Sequence, residues 1–202
     1  MKLENLFDAL GGNDANTAAT LARLHRRLER DAEQSDLLDV GYRTLDTPLG
    51  PLLLAATPVG LVRVAYASEG HDAVLESLAD KVSPRILRAP ARLDGVAREI
   101  DEYFAGTRTH FDLPLDLRLT DGFRREVIEH LSEIGYGHRE SYAAVAAAIG
   151  RPRAVRAVGT ACARNPLPVV IPCHRVVRTD GSIGQYVGGV DAKQTLLTLE
   201  AA

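Results

Sequence analysis

The sequence predicts an α+β protein in which a small N-terminal sheet-and-helix domain precedes a mostly helical, helix-turn-helix (winged-helix-like) domain. Three observations predict it. Short β-like runs divided by Pro- and Gly-containing turns crowd residues 42–67, two amphipathic stretches follow them, and from Phe123 onward short apolar segments alternate with glycines. Residues 1–40 stand apart as a helical N-terminal extension, so the expected division is 1–40, 41–119 and 120–202.

In the extension, Leu21, Leu24 and Leu28 share one helical face with Arg and Glu opposite, and Gly11-Gly12-Asn13 separates this helix from a shorter apolar start. The helix is expected to pack on the body, with partner binding as the alternative. Strands are expected at Tyr42–Asp46, Leu52–Ala56 and Leu61–Ala67, because the segments between them, Pro48-Leu49-Gly50-Pro51 and Thr57-Pro58-Val59-Gly60, carry turn chemistry. Helices follow at His71–Lys81 and Leu93–Phe104, the second stopped by Gly106. In the second half, helices are expected at Phe123–Ile134, Tyr142–Ile149 and Pro152–Ala163; Pro152 suits a first turn, and Asn165-Pro166 ends the third helix. Pro168–Pro172 reads as a strand leading into Cys173. Val176–Arg178 and Ile183–Tyr186 read as a hairpin, and Asp191 as the N-cap of a last helix running through Glu200.

Of 202 residues, 46% are hydrophobic and 25% charged, the composition of a soluble globular chain. The longest apolar stretch, Leu52–Ala67, is interrupted by Pro58, Gly60 and Arg63, so no membrane span is expected. Two cysteines, Cys162 and Cys173, make no disulfide framework, and the charged start (Lys2, Glu4, Asp8) is not a signal peptide, which points to a reducing, cytoplasmic setting. A net charge of −3 excludes a protein that holds nucleic acid by bulk charge. A local basic surface remains, since between His138 and Arg178 the only acid is Glu140 against Arg139, Arg151, Arg153, Arg156, Arg164, Arg175 and Arg178.

Chemistry concentrates at Pro172-Cys173-His174-Arg175. A thiol attacks as thiolate, and a neighbouring imidazole or guanidinium lowers the cost of forming it. Neighbours in an extended strand face opposite ways, so His174 would reach Cys173 only through a turn or a bridging water; the bland alternative is a small buried Cys beside a surface His. Cys162, in an Ala- and Gly-rich helix, reads as packing. No paired Cys-x-x-Cys spacing supports zinc, so no metal is expected. The segment Pro152-Arg-Ala-Val-Arg-Ala-Val-Gly-Thr-Ala-Cys-Ala163 joins arginines to very small side chains, a combination suited to close approach to phosphates, although another helix is the alternative partner.

The run Asn165-Pro-Leu-Pro-Val-Val-Ile-Pro-Cys-His-Arg-Val-Val177 resembles the active-site signature of the 6-O-alkylguanine-DNA alkyltransferases, or methylated-DNA-protein-cysteine methyltransferases. The resemblance extends through Ser141-Tyr142, Arg153-Ala-Val-Arg-Ala-Val-Gly159, Gly184-Gln-Tyr-Val-Gly-Gly189, Lys193 and Leu199-Glu200, and upstream through Thr47-Pro-Leu-Gly-Pro51 and Tyr103-Phe-Ala-Gly-Thr107. It covers roughly four fifths of the chain and omits residues 1–40.

The resemblance implies DNA repair by direct reversal. The alkyl group of 6-O-alkylguanine, with 4-O-alkylthymine as a further candidate, passes irreversibly to Cys173 in a single turnover that needs no cofactor. It assigns His174 the thiol proton through a water, Glu200 the orientation of His174, and Asn165 a hinge between recognition helix and active-site segment. It places Tyr142 near the base and its phosphate, and Tyr186 and Val187 in the substrate pocket, Val187 standing where some relatives carry a small polar residue. DNA contacts fall to Arg156, as the finger replacing a flipped base, and to Ser141, Tyr142, Arg124, Arg153, Ala157 and Gly159, with the helix entering the minor groove. The implied partner is alkylated duplex DNA, bound by a monomer with cooperative loading left open. Two other functions fit the same residues: a sensor of alkylated DNA whose Cys173 is silent, and a Cys-His-Glu hydrolase that turns over.

Overall fold

A computed structural model describes residues 14–201. Helix α1 (Asp14–Gln34) meets the body through His25, whose Nε2 lies 2.6 Å from the carbonyl oxygen of Arg88. Its leucine stripe does not pack as expected: Leu21, Leu24 and Leu28 are 52–62% exposed. The edge that α1 approaches is a three-residue strand carrying Arg88, which offers polar backbone rather than an apolar seat.

Strands β1 (Val40–Leu45), β2 (Leu52–Ala56) and β3 (Leu61–Tyr66) form an antiparallel meander, and β4 (Ile86–Arg88), which the sequence reading missed, adds parallel to β1 in the order β3-β2-β1-β4. All five residues of β2 are buried because both sheet faces are covered. Leu53, Ala55, Val62 and Ala65 pack with Val74 and Leu78 of α2 (His71–Lys81). Leu52, Leu54, Leu61, Val64 and Tyr66 join α3 (Asp94–Phe104) and the helical half in one continuous core. The period-2 pattern of the strands thus feeds two layers.

The free edge of β3 is what fastens the two halves together. Leu61 exchanges hydrogen bonds of 2.8 Å with Pro114 and Asp116, and the Val64 N–H donates to the carbonyl of Pro166 at 2.9 Å. Gly60 is required at this seam, since a Cβ there would sit 2.2 Å from the Pro114 oxygen. The segment beside Cys173 is therefore anchored on the sheet.

The second half comprises α4 (Gly122–Leu131), β5 (Glu140–Ser141), α5 (Tyr142–Ala148), α6 (Val155–Ala163), a 3₁₀ turn (Cys173–Arg175), β6 (Val176–Val177) and α7 (Gly189–Leu199). Helix α6 packs on α4 and α5, the helix-turn-helix arrangement. The structure departs from the sequence pattern at several points. Pro152 lies in a turn closed by Ala154 N–H to Arg151 O, and the helix begins only at Val155. Pro168–Pro172 is no strand: Pro166, Pro168 and Pro172 lack donors, Val169 has φ +73°, and Ile171 N–H turns back to Leu167 O. The hairpin is reduced to its turn, Arg178 N–H to Ser182 O, because β6 pairs in parallel with β5 while Gly184 and Tyr186 turn inward. Asp191 sits in the first turn of α7, which Gly188 rather than Asp191 caps, and α4 stops at Leu131 rather than Ile134.

Candidate active site

Cys173 opens the 3₁₀ turn and is 2% exposed. Asn165, just beyond α6, uses every polar atom of its amide here: Nδ2 donates to Ile171 O at 2.8 Å and to Cys173 Sγ at 3.1 Å, while Oδ1 accepts from Leu167 N–H at 2.9 Å. An aspartate has no donor for the first two bonds, and a leucine, with neither donor nor acceptor, can make none of the three. Burial pushes the Cys173 thiol up to about 11, against the pull of the Asn165 hydrogen bond and of the Lys193 charge.

His174, fully buried, presents Nε2 to Glu200 Oε1 at 2.8 Å, and its Nδ1 has no hydrogen-bond partner among the described residues. Burial holds its pKa below the usual histidine value in spite of Glu200, so the resting imidazole is neutral. Glu200 is the hub. Oε1 also accepts from the Tyr103 hydroxyl at 2.6 Å and from Arg175 Nη2 at 2.8 Å; Oε2 accepts from Arg175 Nε at 2.8 Å and from Gly137 N–H at 3.3 Å. Although burial opposes its ionisation, the His174 and Arg175 hydrogen bonds win and hold it far below the ordinary carboxylate range. Arg175, expected from its position to act on the thiol or the surface, is instead buried, grips Glu200 with two nitrogens and donates a further bond to Ile134 O.

Lys193 and Tyr103 complete the site, and the motif-based reading gave neither a role. Lys193 is wholly buried, donates to Val176 O at 2.5 Å, and stands 5.8 Å from the Tyr142 ring centre. Its charge pulls both thiols down, Cys173 among them. Tyr103 brings the N-terminal half into the Glu200 cluster, and Tyr66 does the same beside Tyr186, with hydroxyls 3.1 Å apart. Only long-range contact reveals these two, and the local run Ala192-Lys193-Gln194 carries no sign that Lys193 is buried. Cys162 is buried on α6 among apolar neighbours, in keeping with packing.

A pH test follows from the raised thiol. In the DNA-free protein, modification of Cys173 by iodoacetamide should climb about tenfold per pH unit from pH 7 to 10, following the thiolate fraction. A plateau near the ordinary thiol value, read by peptide mapping so that Cys162 is scored separately, would contradict the burial account.

Ser141 caps α5, accepting from Ala144 N–H at 3.0 Å. Tyr142, the first residue of α5, is wedged against α6 and the Gly184 loop; a Cβ on Gly184 would lie 2.5 Å from its hydroxyl. Tyr186 is buried, and Val187 beside it is half-buried. Arg124 is partly tied down, donating to Leu119 O at 2.6 Å and Asp121 at 3.3 Å. Arg153, Arg156 and Ala157 are exposed, Gly159 is half-buried, and neither Arg153 nor Arg156 has an ion-pair partner among the described residues. Arg139, Arg164 and Arg178 are likewise exposed, so α6 offers a face of small side chains flanked by cations.

Two family profiles match: "6-O-methylguanine DNA methyltransferase, ribonuclease-like domain" over residues 40–117 and "6-O-methylguanine DNA methyltransferase, DNA binding domain" over residues 122–202. The chain belongs to the 6-O-methylguanine DNA methyltransferase family. It is 38% identical over 161 residues to the methylated-DNA–protein-cysteine methyltransferase of Mycolicibacterium paratuberculosis, covering 80% of this chain and 92% of that one. The Methanosarcina barkeri protein of the same name is 40% identical over 159 residues, covering 79% and 96%. Among solved structures, Mycobacterium tuberculosis OGT in complex with DNA superposes with a TM-score of 0.69 at 36% identity, covering 80% of this chain and 92% of that one. Membership makes this methyltransferase-family chain a DNA-binding repair enzyme of α+β fold. No helix among its described residues is long and apolar enough to cross a membrane.

Proposed function

We propose that the protein repairs 6-O-alkylguanine in duplex DNA by moving the alkyl group onto Cys173 Sγ, once per molecule. The observation that carries this reading is the buried set Cys173–Asn165 and His174–Glu200–Arg175, in which His174 Nδ1, without a partner among the described residues, is left to take the thiol proton. In the resting protein both thiol and imidazole are neutral. With substrate seated, the thiol proton passes to His174 through a water, and Glu200, locked as an anion, stabilises the imidazolium. The sulfur forms a bond to the alkyl carbon, the carbon–oxygen bond breaks, and its electron pair leaves with the guanine, which takes up a proton. Lys193 and the Asn165 amide stabilise the thiolate while it lasts. The thioether product has no leaving group, so the protein is consumed.

Arg124, Ser141, Tyr142, Arg153, Ala157 and Gly159 make the DNA contacts in this reading, with α6 lying in the minor groove and Arg156 filling the space of the extruded nucleotide. Support comes from the exposure of Arg156 beside the small side chains of α6. Tyr142, Tyr186 and Val187 line the base pocket. The units are 41–119 and 120–202, carrying 1–40 as an extension, and the protein works as a cytoplasmic monomer on alkylated duplex.

Incubating the protein with duplex containing 6-O-methylguanine and following loss of the lesion tests the reading: repair should stop at one lesion per protein. Loss continuing past that ratio would indicate a turnover hydrolase, and binding without loss a sensor. Arg156→Ala should slow transfer from duplex by on the order of a hundredfold, since base extrusion costs a few kcal/mol, while leaving reaction with free 6-O-alkylguanine base nearly unchanged. Equal loss on both substrates would remove the finger role.

A further inference from the structure

Tyr66, the last residue of β3, lies outside every motif that identifies the site, yet it is 3% exposed and built into it. Its hydroxyl is 3.1 Å from that of Tyr186, and the two rings meet edge to face at 5.8 Å. Tyr186 in turn stands edge-on to His174 at 6.3 Å, so it is held between Tyr66 and the imidazole. The Tyr66 ring also occupies the space above Gly188, where a Cβ would fall 2.6–2.8 Å from its carbons. Its backbone is held in place, because its N–H donates to Glu69 Oε1 at 2.9 Å and Glu69 is paired with Arg63. Both phenols are close enough to Cys173 for a thiolate there to raise their pKa values further, on top of the larger effect of burial.

We propose that Tyr66 is a specificity-determining residue, a wall that the N-terminal domain contributes to the alkyl pocket and that limits the size of the group passed to Cys173. The proposal rests on the transfer reading above. Any group larger than methyl must find volume next to a sulfur that is already closed in, and in this proposal the loop that yields is the one carrying Tyr186 and Gly188. That loop cannot move toward the sheet while the Tyr66 ring fills the space, and Tyr186 cannot swing while its hydroxyl is bound. Close-packed walls of this kind discriminate by shape.

The test compares transfer rates from duplexes carrying 6-O-methylguanine and 6-O-benzylguanine in wild type, Tyr66→Phe and Tyr66→Ala. The benzyl-to-methyl rate ratio should rise about threefold in Tyr66→Phe, which frees Tyr186 alone, and roughly tenfold or more in Tyr66→Ala, which also removes the ring. Should Tyr66→Ala fail to fold, the conservative Tyr66→Phe decides. Rates that fall in equal proportion on both substrates, or an unchanged ratio in Tyr66→Phe, would overturn the proposal, because a merely structural Tyr66 affects both substrates alike. Absence of transfer from either duplex by the wild type is a different result: it would overturn the transfer reading itself.

Discussion

Glu200→Ala is expected to destabilise the protein by about 3–5 kcal/mol, the cost of breaking a buried ion pair by removing one partner. The carboxylate accepts from five donors: the Tyr103 hydroxyl, His174, two nitrogens of Arg175 and the Gly137 N–H. With it gone, the Arg175 guanidinium stays buried without a counter-charge, and the Tyr103 hydroxyl at 0% exposure loses its acceptor. Because Tyr103 belongs to α3 and Glu200 follows α7, the loss falls on the seam between the two halves. Urea unfolding of the wild type and variant checks this. A change below 1 kcal/mol would mean that the cluster relaxes or admits water. The conservative Glu200→Gln, which keeps an acceptor but removes the charge, should recover part of the stability while still slowing transfer, since a neutral amide does not stabilise imidazolium.

Cys173→Ser should abolish alkyl transfer and leave binding to alkylated duplex within about twofold of wild type, because an alcohol of much higher pKa is no nucleophile under the same conditions. The substitution is nearly isosteric, and the Asn165 amide that donates to Sγ can donate equally to a hydroxyl oxygen, so the Leu167–Cys173 turns should survive. Titration by fluorescence anisotropy and a lesion-repair assay give the two readouts. Residual transfer would place the acceptor elsewhere, and joint loss of binding and transfer would make Cys173 a packing residue.

The sequence carried the site's chemistry further than its geometry. Cys173, His174, Asn165 and Glu200 lie together in one buried cluster, and strands β1–β3 and helix α2 follow directly from turn residues and apolar periodicity. Arg175 was misread because a guanidinium next to a thiol in sequence says nothing of direction; the 3₁₀ turn aims it at Glu200 instead. Pro168–Pro172 looked like a strand because Val169, Val170 and Ile171 have strand propensity, but the flanking prolines and the bonds of Asn165 wind the segment into turns. Helix α1 kept its stripe and not its partner, since an amphipathic pattern states that a face is apolar and not what covers it. Tyr66 and Tyr103 were invisible for a simpler reason: each is an ordinary aromatic in its own element, and its role comes from contacts 120 and 97 residues away.

Intact-protein mass spectrometry after incubation with a duplex carrying a single 6-O-methylguanine, followed by peptide mapping, tests the central claim most directly. The mass should rise by one methyl group and no further at any excess of DNA, and the modified peptide should be the one containing Cys173. Tight binding with no gain in mass, or a methyl found on Cys162, would contradict the account.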